Sequence, residues 1–193
     1  MRNMKRLAGI LAVVAALAIG ATASATVARY LELEEHVALS DLVIRARVGA
    51  NVDTFVGADG KPRTETPFTV QQVLKGEVRE GAVVRVRQLR GPTADGGFLA
   101  VPGDAVFEAG EDVVLFLVTD PDGTAFLTAM GQSKYVVRAG PGGAMVDRDL
   151  GGLAFYVGGA DARIVPGFAD APVSLPLFSD AVRQAASAAR SVK

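Results

Sequence analysis

The chain has 193 residues, 50% of them apolar and 21% charged, with 22 Gly, 9 Pro and no Cys. Those proportions exclude a disordered or collagen-like chain and a disulfide-stapled scaffold, and the length suits one folded domain whose core stands without metal or crosslinks. The formal charge of −1 implies no general polyanion binder.

Residues 1–25 read as an export signal. Arg2, Lys5 and Arg6 precede an apolar run at 7–19, and Ala23-Ser24-Ala25 supplies the small residues of a cleavage site before Thr26. The run is shorter than the roughly 20 residues of a spanning helix, so cleavage and release to the periplasm or the medium are expected, with no stable membrane span afterwards. Removing three of the 20 basic residues and none of the 21 acidic ones leaves 17 minus 21, a charge of −4. Without a cysteine there is neither a lipoprotein anchor nor thiol chemistry, and stability in an exported chain must come from core burial and strand pairing.

After this leader, Leu33 and Val37 stand one helical turn apart, which predicts a short helix ending near Ser40. At 41–48, Leu42, Ile44, Ala46 and Val48 alternate with Val43, Arg45 and Arg47, the pattern of a strand with one buried face. A second strand is expected at 66–74, with Phe68, Val70 and Leu74 on one face, and a third at 82–89, where Val84 and Val86 oppose Arg85 and Arg87. These two are expected to form a hairpin. The unbroken run Val113-Val114-Leu115-Phe116-Leu117-Val118 reads as a strand covered on both sides at the centre of the core. Residues 124–130 and 135–138 supply further strands, with a bend at Gly131.

Seven Gly between 140 and 159 predict a loop with a short strand around 145–150. Leu175, Phe178, Val182, Ala185, Ala189 and Val192 recur at spacings of 3 and 4, the stripe of a terminal helix. Because half of that stripe is Ala, the helix is expected to be peripheral. The sum is an all-β, mainly antiparallel fold, a small five-to-six-stranded barrel over 26–165 with an extension at 166–193; a β-sandwich is the alternative.

The segments SDLVIRARV (40–48), FTVQQVLKGE (68–77), VVRVRQLRG (83–91), FEAGEDVVLFL (107–117) and GQSKYVV (131–137) together resemble a group of uncharacterised secreted bacterial OB-like domains. Those are distantly similar to netrin-like, tissue-inhibitor-of-metalloproteinase modules. The resemblance covers roughly residues 33–155 and implies a five-stranded OB-type barrel. In the animal inhibitors an N-terminal cysteine chelates the target's zinc; here Thr26 stands at the expected terminus, so no inhibitory residue carries over.

The chemical inventory is sparse. His36 is the only histidine, beside Glu34 and Glu35, and reads as a solvated or half-buried surface residue. A Ser-His-acid triad would have to recruit it with one of Ser40, Ser133, Ser174, Ser179, Ser187 or Ser191, and Gly131-Gln132-Ser133-Lys134-Tyr135 lacks the closing Gly of a nucleophile elbow. Paired carboxylates are the one catalytic inventory present, for example Glu108, Glu111 and Asp112, or Asp147 and Asp149 two residues apart, and they read better as a solvated face than as an acid/base pair. Asp120-Pro121-Asp122-Gly123 reads as a type I turn. No phosphate-loop spacing and no multi-His or Cys ligand set is present, so no cofactor or metal is implied.

The alternation puts Arg45, Arg47, Arg85 and Arg87 on outward faces of two strands, and together with Arg90 and with Phe98 and Asp104 of the 91–104 loop they form the candidate binding surface. The arginine strands carry no aromatics for base stacking, which argues against nucleic acid. The expected function is therefore a secreted, non-catalytic binding or accessory module for a secreted or envelope protein or an anionic glycan. The alternatives are an inhibitor or pro-segment-like partner of a co-secreted protease and, third, a carboxylate-based hydrolase.

Overall fold

The computed structural model describes residues 26–157 and 162–191. The export signal expected at 1–25, Gly158-Gly159 and Val192 lie outside the described residues. In chain order the strands are β1 (Thr26–Ala28), β2 (Leu42–Val48), β3 (Asp53–Val56), β4 (Pro62–Lys75), β5 (Val83–Gln88), β6 (Gly91–Pro92), β7 (Phe98–Leu99) and β8 (Asp112–Thr119). They continue as β9 (Ala125–Leu127), β10 (Lys134–Gly140), β11 (Gly143–Asp147), β12 (Leu153–Val157), β13 (Arg163–Pro166) and β14 (Val173–Ser174). Helix α1 (Leu33–Leu39) precedes β2, and α2 (Leu175–Ser191) follows β14. None of the described helices is long and apolar enough to cross a membrane.

Five strands close on themselves in the order β8, β2, β4, β5, β9. Strand β9 returns antiparallel to β8 through Leu117↔Leu127 and Val118↔Phe126, and meets β5 in a parallel contact at Val86↔Ala125. Closure satisfies the edges that a short open sheet would leave unpaired. The fold is thus the small all-β barrel with a C-terminal helix that the hairpin-linked strands imply. Beyond the barrel, β10 pairs with the first half of β8, and β11 and β14 extend the sheet from there.

Alternation sorts the side chains into two layers. Leu42, Ile44, Ala46 and Val48 of β2 point inward with Phe68, Val70, Val86, Val113, Leu115 and Leu117, filling the barrel. Val43, Val114 and Phe116 point outward beneath α1 and α2. From Val113 to Leu117 every side chain is buried, because β8 has the barrel interior on one face and the helices on the other. Burying each large aliphatic or aromatic side chain there contributes about 1.5–3 kcal/mol.

Leu74 departs from the expected face. Strand β4 carries one extra residue between the pairs Ala46↔Val70 and Arg45↔Gln72, and a second between Ile44↔Val73 and Val43↔Lys75. The first bulge inverts the parity, so Val73 packs against the interior and Leu74 joins the helix layer. The strand also begins earlier than expected, at Pro62, where it pairs with β3.

Helix α2 lies outside the barrel, yet it is a cover rather than an appendage. Leu175, Phe178, Val182 and Ala186 are buried against the outer sheet face and α1. The buried line shifts from Ala185 to Ala186 as a period of 3.6 requires, and the small alanines permit close approach.

The Gly-rich segment at 140–159, expected as a loop with a short strand around 145–150, holds β11 and all of β12, its glycines serving as turns: Gly142 and Gly143, at φ 88° and 134°, reverse the chain between β10 and β11. Strand β12 pairs in parallel with β1 and antiparallel with β13, over a small core of Leu150, Leu153 and Phe155. Behind it the returning chain presses close: Leu150 N–H donates to Phe168 O at 2.9 Å, and a Cβ on Gly167 would fall 1.8 Å from the Leu150 carbonyl oxygen. Gly167→Ala is therefore expected to cost about 1–3 kcal/mol, read as a lower urea midpoint; a wild-type midpoint would show that this strand crossing gives way freely.

Candidate functional site

The sequence-derived surface divides in two once the strands are paired. Arg45 and Arg47 of β2 meet Arg138 of β10 and the Gly140–Gly143 turn around an open groove of about 400 Å³. Arg85, Arg87, Arg90 and Phe98 lie elsewhere, on β5, in the short connection after it and in the 91–104 loop.

Carboxylates neutralise most of these cations. Arg45 donates to both oxygens of Asp112, at 3.0 and 2.6 Å, and Arg138 donates to both oxygens of Asp147 at 2.7 Å. Arg85 pairs with Asp53 at 2.7 Å. Arg87 pairs with Glu65 at 2.6 Å, its guanidinium lying 5.3 Å over the Phe55 ring. Arg90 sits 5.6 Å over the ring of Phe98, itself 61% exposed. Arg47 differs: its guanidinium donates to the Gly110 carbonyl at 2.7 Å and has no carboxylate partner among the described residues. It is the uncompensated charge of the groove.

Asp104 is half-buried and lines a shallow pocket together with Arg87. Its carboxylate accepts from Gln88 Nε2 at 2.9 Å and from the Ala105 N–H at 2.9 Å. Burial pushes its pKa up, against those hydrogen bonds.

Asp147 and Asp149 diverge. Strand β11 ends at Asp147, which lines one cavity in its pair with Arg138; Asp149 lines another and accepts from the Gly151 N–H at 2.8 Å. Asp120–Gly123 forms the expected turn, with Gly123 N–H on Asp120 O at 2.8 Å.

His36 is not at the surface. It is fully buried between α1 and the sheet, its ring stacked 4.2 Å from Phe116. The structure brings it to Ser133, one of the serines available for a triad: Nε2 lies 3.1 Å from Ser133 Oγ. Nδ1, where an acid would complete a triad, has no hydrogen-bond partner among the described residues, and Ser133 is itself fully buried, its Oγ accepting from the Ala129 N–H at 2.7 Å. Burial, and after it the charge of Arg148, lowers the imidazole pKa to about 3. A neutral, sealed imidazole of this kind packs and hydrogen-bonds; no substrate reaches it. Leu33, His36 and Val37 at spacings of 3 and 4 carried the signal for its burial.

The most unusual polar centre went unmarked by sequence reasoning. Arg148 is 2% exposed, with its guanidinium 4.9 Å from both the Tyr30 and Tyr135 ring centroids. Its Nε donates to Asp170 Oδ2 at 2.5 Å, its Nη2 to the Tyr30 hydroxyl at 2.6 Å, and its Nη1 to the Gln132 carbonyl at 3.4 Å. Gln132 extends the network, accepting from Leu31 N–H at 2.9 Å and donating to Arg29 O at 3.0 Å. The alternation of Val146, Arg148 and Leu150 put Arg148 on a buried face. Beside it opens a cavity of about 310 Å³. Comparison of the chain with protein-family models, with curated proteins and with solved structures finds no match.

Proposed function

We propose that the protein is a secreted, non-catalytic β-barrel binding module that takes an anionic partner, an acidic glycan or an acidic patch of an envelope protein, on the groove of Arg45, Arg47 and Arg138. The observation that carries this reading is Arg47, an exposed guanidinium without a carboxylate among the described residues, which shares a concave surface with two guanidinium groups whose geometry is held by Asp112 and Asp147. Planar guanidinium forks suit sulfate and carboxylate groups, and a rigid strand face holds them in place. The barrel interior is filled with apolar side chains, which leaves recognition to the outside.

The test is retention on an immobilised sulfated polysaccharide. Arg47→Glu should elute at distinctly lower salt than wild type with an unchanged melting temperature, while Arg79→Glu, an exposed position outside the groove, should shift the elution less. Absence of retention, or equal shifts for both variants, would remove the groove from the function.

A further inference from the structure

The cavity beside Arg148 joins two kinds of wall. Tyr30, Tyr135 and Phe178 present aromatic surface, and Glu32, Asp147 and Asp170 present carboxylates. Pockets that combine apolar walls with a few polar groups are the usual form of a small-molecule site, and the signs of the polar groups select the ligand.

Two of the three carboxylates are already matched: Asp147 by Arg138 and Asp170 by Arg148. Glu32 has no ion pair or side-chain hydrogen bond among the described residues. With both cations counted, the walls keep one negative charge. An anion approaching Arg148 would meet Asp170 already seated on it at 2.5 Å and two more carboxylates around it. A cation meets attraction instead, from Glu32 and from ring faces whose π-electrons favour positive charge. The molecule's own guanidinium, held 4.9 Å from two of those rings, already exploits that preference.

A polar handle is also free. The Tyr135 hydroxyl has no hydrogen-bond partner among the described residues. Burial above all raises its pKa, so it stays a neutral phenol that both donates and accepts.

From these walls we infer that the cavity binds a small organic ammonium ion with an apolar body, its hydrocarbon part against Tyr135 and Phe178 and its charged head toward Glu32. The inference goes beyond the arginine groove, which has the opposite charge preference; the two sites meet at the Arg138–Asp147 ion pair.

The probe is phenethylamine, with phenylacetate as a control of similar size and opposite charge. The chain has 3 Tyr, so ring carbon shifts of the protein labelled at tyrosine are few enough to resolve. Tyr30 and Tyr135 line the cavity, while Tyr156 stands 52% exposed on β12. Phenethylamine should shift Tyr30 and Tyr135 saturably in the millimolar range and leave Tyr156 in place, whereas phenylacetate at equal concentration should not. Glu32→Gln, an exposed change with no hydrogen bond to lose, should weaken phenethylamine about fivefold. Equal responses to the two probes, no response to either, or unchanged affinity in Glu32→Gln would overturn the inference.

Discussion

Arg148→Met is expected to lower the unfolding free energy by about 3–5 kcal/mol, the cost of breaking a buried ion pair by removing one partner. Methionine follows the aliphatic stem but offers nothing to Asp170 Oδ2 or to the Tyr30 hydroxyl, which then lose the donors that lie 2.5 and 2.6 Å away. It also removes the cation between the Tyr30 and Tyr135 rings. The effect is large because the clasp is long-range: Arg148 and Tyr30 are 118 residues apart in sequence, Arg148 and Asp170 22 apart. Three segments, the approach to α1, the end of β11 and the approach to β14, are pinned at one guanidinium. Urea denaturation followed by far-ultraviolet circular dichroism measures it. The double variant Arg148→Met with Asp170→Asn should recover part of the loss, since no carboxylate is then left partly buried without its cation. A single-variant cost below about 1 kcal/mol, the level of a surface pair, would mean that the clasp holds nothing together.

Stability should also fall in mild acid, with His36 as the cause. In the unfolded chain the imidazole takes up a proton near its ordinary value of 6.5, whereas in the fold burial first, and then repulsion from Arg148, lowers its pKa to about 3. The unfolded state therefore binds the proton that the folded state refuses. The stabilisation is complete above pH 6.5 and is lost progressively as pH falls toward about 3, at roughly 1.4 kcal/mol per unit. His36→Gln should be less stable at neutral pH, where the ring's stacking on Phe116 is forfeited, and flatter between pH 6 and 4. Native carboxylates contribute their own acid loss to both proteins, so the difference between the two curves isolates His36. Parallel curves would show that the imidazole protonates in the folded state without penalty.

Neither centre belongs to the groove assigned to binding, and both strengthen the frame on which that groove rests. Arg45 and Arg47 stand on β2, whose opposite face is inside the barrel, so the guanidinium groups are held by a strand fixed on both edges by β4 and β8. Of the seven surface residues expected from the sequence, Arg45 and Arg47 line the groove, to which β10 adds Arg138. Arg138 carried no recognisable pattern, because only the β10–β8–β2 pairing brings it beside them.

Where a property depends on neighbours along the chain, residue order was sufficient to reveal it. The alternation at 42–48, the apolar run at 113–118 and the 3,4-spaced stripe at 175–192 each specify which face sheds water, whatever that face later meets. That logic recovered the barrel strands, their hairpin and both helices. It failed at Leu74, since an inserted residue in β4 inverts the alternation and leaves no mark in composition. It failed also at the buried charge: an arginine is costly to bury alone, and what makes Arg148 tolerable is Asp170, Tyr30 and Tyr135, delivered by segments that are neighbours only after folding. Local order reports hydrophobic periodicity; the compensation of a buried charge is a property of three-dimensional contact, and it came into view with the tertiary structure alone.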